Sequence, residues 1–390
     1  MEKLLNVKEL GYKVVLDNFT HMKGNHCETT SLMKVLNHMG HPFEEEFLFG
    51  LAGGVGFVNW YSKGMQNPFL GGRNGKFPYF TNKMCSRLNV DIEIATTSSI
   101  NKSEIKVLEL LSMGKPVIVY GDIAKLPYFK SNSHFGQHAF VVYGINYNEG
   151  LVYISDRGGK PQTINLDTYR VAHSTKCKPY SPNNAVLVVN DIKADDVDMK
   201  NVVVESILDA CNEMLHPPIK KFGVEGMRAW ANEVSNFSTV HSELDTVSYL
   251  ISTFINIETA GTGGKAFRSM YSRYLNIAKN ITNIKQLAEM SERFSHSANL
   301  WRNISNALLN REYFGNISTL ILKKEEIFMS EGTIDCKEGS EVDREFKEAI
   351  VEANKNVDNI IKSLPSVGDE VLKCYEVEKT LYLDLVKILT

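Results

Sequence analysis

The sequence predicts an α+β domain over residues 1–192 followed by an all-helical domain over residues 199–390. Three observations carry that prediction. The 390 residues, 43% of them hydrophobic, exceed the ~250 residues at which one hydrophobic core stops growing. Up to about residue 190, strand-like runs rich in Val, Ile and Tyr alternate with helical stretches and glycine-rich loops. Beyond the acidic stretch 193–198 strand signals nearly vanish, and apolar residues recur every three or four positions, as in Val247, Leu250, Ile251 and Phe254, the spacing of a helix with one buried face.

In order along the first domain, residues 29–39 place Leu32, Leu36 and Met39 on one helical stripe, stopped by Gly40 and Pro42. Residues 103–113 form a second amphipathic helix closed by Gly114. Strands follow at 116–120, 138–145, 151–155 and 185–190, with Asn148-Glu149-Gly150 as a tight turn between the middle two. The run 138–145 is apolar on both faces, as an internal strand would be. In the second domain helices are expected near 199–215, 222–235, 241–258, 265–279, 283–310, 340–363 and 367–389.

Composition narrows the function classes. A net charge of −3, with both signs mixed, gives no electrostatic reason to expect nucleic acid or an anionic membrane as partner. The N-terminal segment lacks the apolar core of a signal peptide, and no stretch approaches the ~18 apolar residues of a membrane span. Cys27, Cys85, Cys177, Cys211, Cys336 and Cys374 show no CxxC pairing, which reads as reduced thiols in a cytoplasmic protein.

Among these cysteines Cys27 stands apart. It lies in His21-Met-Lys-Gly24-Asn25-His26-Cys27-Glu28, where Asn25-x-x-Glu28 has the form of a capping box with Asn25 as the cap. Cys27 then occupies a first helical turn, whose unpaired N–H groups and dipole favour a thiolate and whose amide can steady an oxyanion. Glu28 acts against this, since a nearby carboxylate disfavours the thiolate. Cys211 and Cys374, inside helical patterns, read as small buried hydrophobes.

His138 opens one strand and Asp156 closes the next. If Asn146 pairs with Gly150, Asp156 falls opposite Phe140, on the face of His138 and diagonal to it, ~7–8 Å away at the backbone. A slip of one residue would separate them. A thiol gains from a histidine that takes its proton, and the imidazole needs a partner that fixes its tautomer. A histidine at a strand start or an Asp-Arg-Gly-Gly turn is ordinarily structural; the three residues together predict a Cys27–His138–Asp156 site. Cys, His, then Asp or Asn is the chain order of papain-like enzymes.

These residues resemble the butirosin-biosynthesis acyltransferase family, the papain-like amide synthetases. The likeness rests on His21-x-x-Gly24-x-His26-Cys27, the Gly50–Gly56 loop, Gln137-His138, Ser155-Asp156-Arg157-Gly158, and Glu258 to Arg268 in the helical half. The resemblance implies a papain-like catalytic domain; the need to keep water from an acyl-enzyme adds the expectation that the helical domain covers the site. The resemblance also implies acyl transfer from an acyl or peptidyl carrier-protein thioester, through a Cys27 acyl-enzyme, to a small amine in antibiotic biosynthesis. In the closthioamide-type branch that the chain resembles, the amine is a diamine. No ATP, cofactor or metal is implied. The protease's Cys-Gly-Ser-Cys-Trp signature is absent, and the place of papain's oxyanion glutamine is held by His21; His21, with Gly53 and Gly54, is the expected oxyanion or substrate-binding set. Hydrolysis on the same triad, as in a peptidase or thioesterase, and a non-catalytic binding protein are the competing readings.

Other motifs carry less. Gly50–Gly56 contains no GxGxxG and reads as a flexible wall. Gly261–Lys265 departs from the Walker pattern at Thr259 and Ala266 and reads as the start of the 265–279 helix. His21, His26, Cys27, His38 and His41 match no standard zinc spacing. Trp60-Tyr61 and Phe77–Phe80 read as core or pocket lining.

Overall fold

The computed structural model describes residues 13–63, 65–73, 77–177 and 180–390; residues 1–12, part of the segment weighed above as a signal peptide, lie outside them. An antiparallel-sheet domain comes first in the chain. After Ile192 the described residues form helices and no strand, so the α+β class and its helical sequel are as the patterning predicts. No described helix is long and apolar enough to cross a membrane.

The sheet has seven strands: β1 (Lys13–Val15), β4 (Val90–Ala95), β5 (Val117–Gly121), β6 (His138–Asn146), β7 (Leu151–Ser155), β8 (Pro161–Asn165) and β9 (Val186–Ile192). Its order is β4-β9-β5-β6-β7-β8, all antiparallel, with β1 also paired to β6. Along one edge of β6, β5 holds residues 138–142 and β1 holds 144–146; β7 lies on the other edge. Every residue of β6 is buried, as its two apolar faces require. Helix α1 (Cys27–His38) packs against β5 and β6. The sequence suggested one buried stripe on this helix; instead Glu28–Leu36 are all buried, because the helix is central and not a surface layer.

The chain forms two compact units, crossing between them after Glu45, Arg87, Asp196, Glu325 and Ser340. The sheet unit takes residues up to Glu45, Leu88–Asp196 and Glu326–Ser340. The helical unit takes Glu46–Arg87, Val197–Glu325 and Glu341–Thr390. One crossing falls in the acidic stretch; the other four carry no compositional mark. Glu326–Ser340 joins the sheet unit through Phe328, stacked on Phe129 at 4.7 Å, and Ile334 N–H, donated to the Tyr128 carbonyl at 2.7 Å. Glu46–Arg87 contributes the hairpin of β2 (Val55–Trp60) and β3 (Phe69–Arg73) to the helical unit. Arg268, buried there, donates to the carbonyls of Gly56 and Gly72 from that hairpin.

Several helices match the periodicity closely, among them Met199–Leu215 and Gly223–Ser235. Others correct it. Helix Ile317–Glu331 was not anticipated. The break expected beside Pro365 lies at Asn356 instead, and Pro365 sits inside Val357–Leu389. That helix packs tightly where Gly368 faces Gly223–Ser235: a Cβ there would fall 1.9 Å from Ser235 Oγ and 2.7 Å from the Ala231 carbonyl. The helix expected from residue 265 begins at Arg268, since Lys265, Ala266 and Phe267 are left-handed (φ 57°, 49° and 68°). Arg268 helps hold that costly conformation by donating to the Ala266 carbonyl at 2.8 Å.

Candidate active site

Cys27 is the first residue of α1 and is partly exposed. The helix cap is His26, not Asn25: His26 Nδ1 accepts from Thr29 N–H at 3.4 Å. The work expected of a capping box falls instead to Glu45, a buried carboxylate from the start of the next helix. It accepts from Asn25 N–H (2.8 and 3.0 Å), His26 N–H (2.8 Å), Thr29 Oγ1 (3.1 Å) and Thr30 Oγ1 (2.8 Å). Glu45 therefore fixes the two amides before Cys27. The Cys27 amide itself, at the first helical position, has no acceptor within the helix.

His138 and Asp156 meet through a compensated register. The turn pairs Asn146 with Leu151, one residue beyond the expected Gly150. That slip alone would separate the two side chains. A bulge between Val142 and Gly144 removes it, so Val141 pairs with Ser155 and Asp156 comes level with Phe140. Bulges commonly re-aim side chains in this way. The turn is held by Asn146 Oδ1, which accepts from Asn148 and Glu149 N–H.

His138 Nε2 lies 2.7 Å from Asp156 Oδ2, and both residues are only 3% exposed. Cys27 is a second neighbour that favours the charged form of His138. Burial disfavours the imidazolium, but Asp156 and Cys27 outweigh it and raise His138 to about 9. Burial likewise opposes ionisation of Asp156, yet His138 and Arg157 hold its carboxyl at about 2. At neutral pH the pair is an imidazolium and a carboxylate.

Three neighbours complete the carboxylate's setting. Tyr128 OH donates to Oδ2 at 2.8 Å and Arg157 N–H to Oδ1 at 2.6 Å. Burial, then Asp156, pushes the Tyr128 hydroxyl well above its ordinary range, so it stays a donor. Phe129 meets the His138 ring edge-on at 5.0 Å. The two loops carrying the site are tied together: Gly24 N–H donates to the Arg157 carbonyl, and Arg157 Nη1 to the Asn25 carbonyl, each at 3.0 Å. Gly158 has no room for a side chain, because a Cβ would lie 2.7 Å from the Phe328 carbonyl.

Lys34 escaped the sequence reading. It is 1% exposed and lies seven residues from Cys27, hence on the same helical face. Its Nζ donates to Ser155 Oγ at 2.9 Å and to the Asp156 carbonyl at 2.5 Å. Burial, assisted by Arg157 and resisted by Asp156 and Glu45, brings Lys34 down to about 8. Ser155 Oγ also lies 3.0 Å from His21 Nδ1. Burial and the Lys34 charge lower the His21 pKa, leaving a neutral ring. The signal was a single lysine in the otherwise uncharged run 29–36. Glu45 and Tyr128 had no comparable signal.

Gly53 and Gly54 belong to the helical unit. They terminate helix α2 (Glu45–Leu51), where Gly53 N–H donates to the Gly50 carbonyl at 2.8 Å and Gly54 N–H to the Phe49 carbonyl at 3.0 Å. Those amides serve the helix end. The 50–56 loop is accordingly a helix terminus running into β2, not a slack wall. Phe80 is buried in the same unit beside Phe49, while Trp60 is partly exposed.

Among the described residues, the grouping with metal-ligand distances is Asp122, His134 and Cys177; it contains none of His21, His26, Cys27, His38 or His41. Asp122 accepts from His134 Nδ1 at 2.6 Å and from the N–H groups of Ala124 and Phe135, closing the 122–135 loop. Cys177 donates to the Tyr180 carbonyl, and burial followed by Asp122 raises its thiol. This Cys-His-Asp group closes a loop, with its thiol held protonated. Burial also raises Cys211, to about 12, and Cys374.

The fold and site define a class: an α+β domain carrying a helix-start cysteine with a hydrogen-bonded His-Asp pair. Residues 26–157 match the model of the N-terminal domain of butirosin biosynthesis protein H, and residues 170–317 match a domain of unknown function, DUF4872. Over residues 26–157 the chain is similar to the butirosin-biosynthesis family, a family of biosynthetic enzymes. No curated protein matches it.

Proposed function

We propose that the protein is a cysteine-dependent acyltransferase that makes amide bonds, moving an acyl or peptidyl chain from a carrier-protein thioester to an amine. The observation that carries this reading is the pairing of Cys27, at a helix start, with an imidazolium buried against Asp156. A papain-like mechanism accounts for it. The Cys27 thiolate attacks the thioester carbonyl, and the Cys27 amide steadies the oxyanion with His21 as second donor. The His138 imidazolium gives its proton to the departing carrier thiolate and becomes neutral. Neutral His138 then takes a proton from the amine as it attacks the acyl-enzyme. Amide release restores thiolate and imidazolium, so the proton account closes. The thioester supplies the activation, so the scheme calls for no ATP, cofactor or metal. The acceptor in the closthioamide-type branch would be a diamine.

Burial of His138 and Asp156 beneath Phe129 favours transfer over hydrolysis, since water must be kept from the acyl-enzyme. Intact-mass spectrometry after mixing with an acyl-pantetheine thioester tests the proposal. The expected result is a covalent adduct that is lost in Cys27→Ala and released faster by a diamine than by buffer. Release at the same rate with or without amine would make the protein a thioesterase or peptidase. No adduct from any acyl thioester would make it a binding protein.

A further inference from the structure

Lys34, Ser155 and His21 form a hydrogen-bond chain whose direction is fixed at one end. An ammonium has three N–H donors and no acceptor, so Lys34 Nζ can only donate to Ser155 Oγ and the Asp156 carbonyl. Ser155 is fully buried, and among the described residues its hydroxyl has two hydrogen-bond neighbours, Lys34 Nζ and His21 Nδ1. Its single proton therefore has one acceptor within reach, the lone pair of Nδ1. Were Nδ1 protonated and donating instead, the Ser155 O–H would be left buried without an acceptor, a cost of about 1–3 kcal/mol.

We propose that Lys34 is a positioning residue that acts through Ser155 to hold His21 in the tautomer protonated at Nε2. This deepens the acyltransferase reading and rests on it only for the consequence: a histidine locked this way offers a permanent N–H donor, as an oxyanion hole requires. A ring free to exchange tautomers would present a lone pair part of the time and repel the oxyanion.

The groups facing the ammonium are Asp156, Glu45, Arg157 and, through Ser155, His21. As pH rises through about 8, Lys34 gains a lone pair and can accept from Ser155, so the lock should loosen in that range.

The test is a ring-nitrogen NMR spectrum of the full chain labelled at histidine, with the His21 signals assigned by their loss in His21→Gln. At pH 7 His21 should show a protonated Nε2 and a bare Nδ1. In Lys34→Met, or in Ser155→Ala if the lysine variant fails to fold, the pattern should shift toward Nδ1–H or a mixture. The rate of Cys27 acylation should fall with it, by up to about 10²-fold, the scale of losing one oxyanion donor. A wild-type ring protonated at Nδ1, or a pattern unchanged in the folded variants, would overturn the proposal. The expected tautomer shift without acylation by any thioester would leave the lock standing and refute the acyltransferase reading instead.

Discussion

Each unit of the protein has a buried carboxylate beside a cation and near a cysteine, Glu378 in one and Asp156 in the other, and the two arrangements differ in what they can do. In the helical unit Glu378 takes a two-pronged bond from Arg268 (2.7 Å twice) and further bonds from Ser297 and Trp301, with Cys374 Sγ 3.9 Å away. Arg268 and Glu378 are fully buried. In the sheet unit Asp156 takes bonds from His138, Tyr128 and the Arg157 amide. The difference lies in the cation. Arginine does not titrate in proteins and turns all its donors to fixed acceptors. Histidine titrates and can give its proton away, and His138 has the partly exposed Cys27 as an electrostatic neighbour. Burial, and then Glu378, holds the Cys374 thiol protonated; a thiol beside a histidine has a group that can exchange a proton with it. The same carboxylate chemistry thus locks one unit and, on the proposed function, arms the other.

The same isosteric change at both sites should expose this contrast. Glu378→Gln strands the Arg268 charge in the interior, and removing one partner of a buried pair costs about 3–5 kcal/mol. The denaturation midpoint should drop accordingly, while acylation by the folded protein stays near wild type. Asp156→Asn should do the reverse. His138 can shed its proton, so no buried charge is stranded, but the imidazolium loses its counter-ion and acylation should slow by about 10²-fold or more. Urea titration and intact-mass kinetics on both variants separate the two effects. A wild-type rate in Asp156→Asn would remove Asp156 from the chemistry.

The sequence carried part of this contrast. The α+β class, the internal strand β6 and the cysteine at a helix start were legible because each rests on local periodicity or capping. Asp156 came level with Phe140 as expected, but only because a bulge at Tyr143 cancelled a slip in the turn, and neither shows in the pattern. Glu45 and Phe328 reach the site from other parts of the chain, and Tyr128 from the short 3-10 turn Pro127–Phe129. Tertiary packing alone brings them there. Arg268 was noticed through a resemblance, yet its partner Glu378 lies 110 residues on, beyond any helical or strand spacing. Lys34 went unread, although it is a lone charge on the face of Cys27 in the otherwise uncharged run 29–36.

The Arg268–Glu378 pair keeps both charges through neutral pH, whereas His138 and its neighbour Lys34 should respond to it. His138 is raised from 6.5 to about 9 on folding. Its contribution to stability is therefore full below pH 6.5 and is lost as pH climbs through 9. Lys34, lowered from 10.5 to about 8, works the other way: its buried charge penalises the fold below pH 8, and the penalty fades between 8 and 10.5. Stability should fall by on the order of 2 kcal/mol between pH 6.5 and 8, then flatten as Lys34 compensates. Asp156, held at about 2, adds its own loss only as pH falls from 3.8 through 2. Urea midpoints from pH 6 to 10 would show the slope in wild type and a weaker one in Asp156→Asn. A midpoint that rises from pH 6.5 to 8 would contradict the imidazolium–carboxylate pair.

The smallest effect tests the second donor on each carboxylate. Tyr128 OH and His138 Nε2 share Asp156 Oδ2. Removing the hydroxyl in Tyr128→Phe leaves Oδ2 more basic, so it grips the imidazolium harder and slows proton delivery to the leaving thiol. Acylation should slow about threefold to tenfold, or ~0.7–1.4 kcal/mol in the barrier. Ser297→Ala removes the corresponding donor to Glu378 Oε1 and should cost about 1–2 kcal/mol of stability with no change in rate. Equal, purely structural losses in the two variants would mean that the Tyr128 hydroxyl does no more for Asp156 than Ser297 does for Glu378, and that tuning at the site ends with His138.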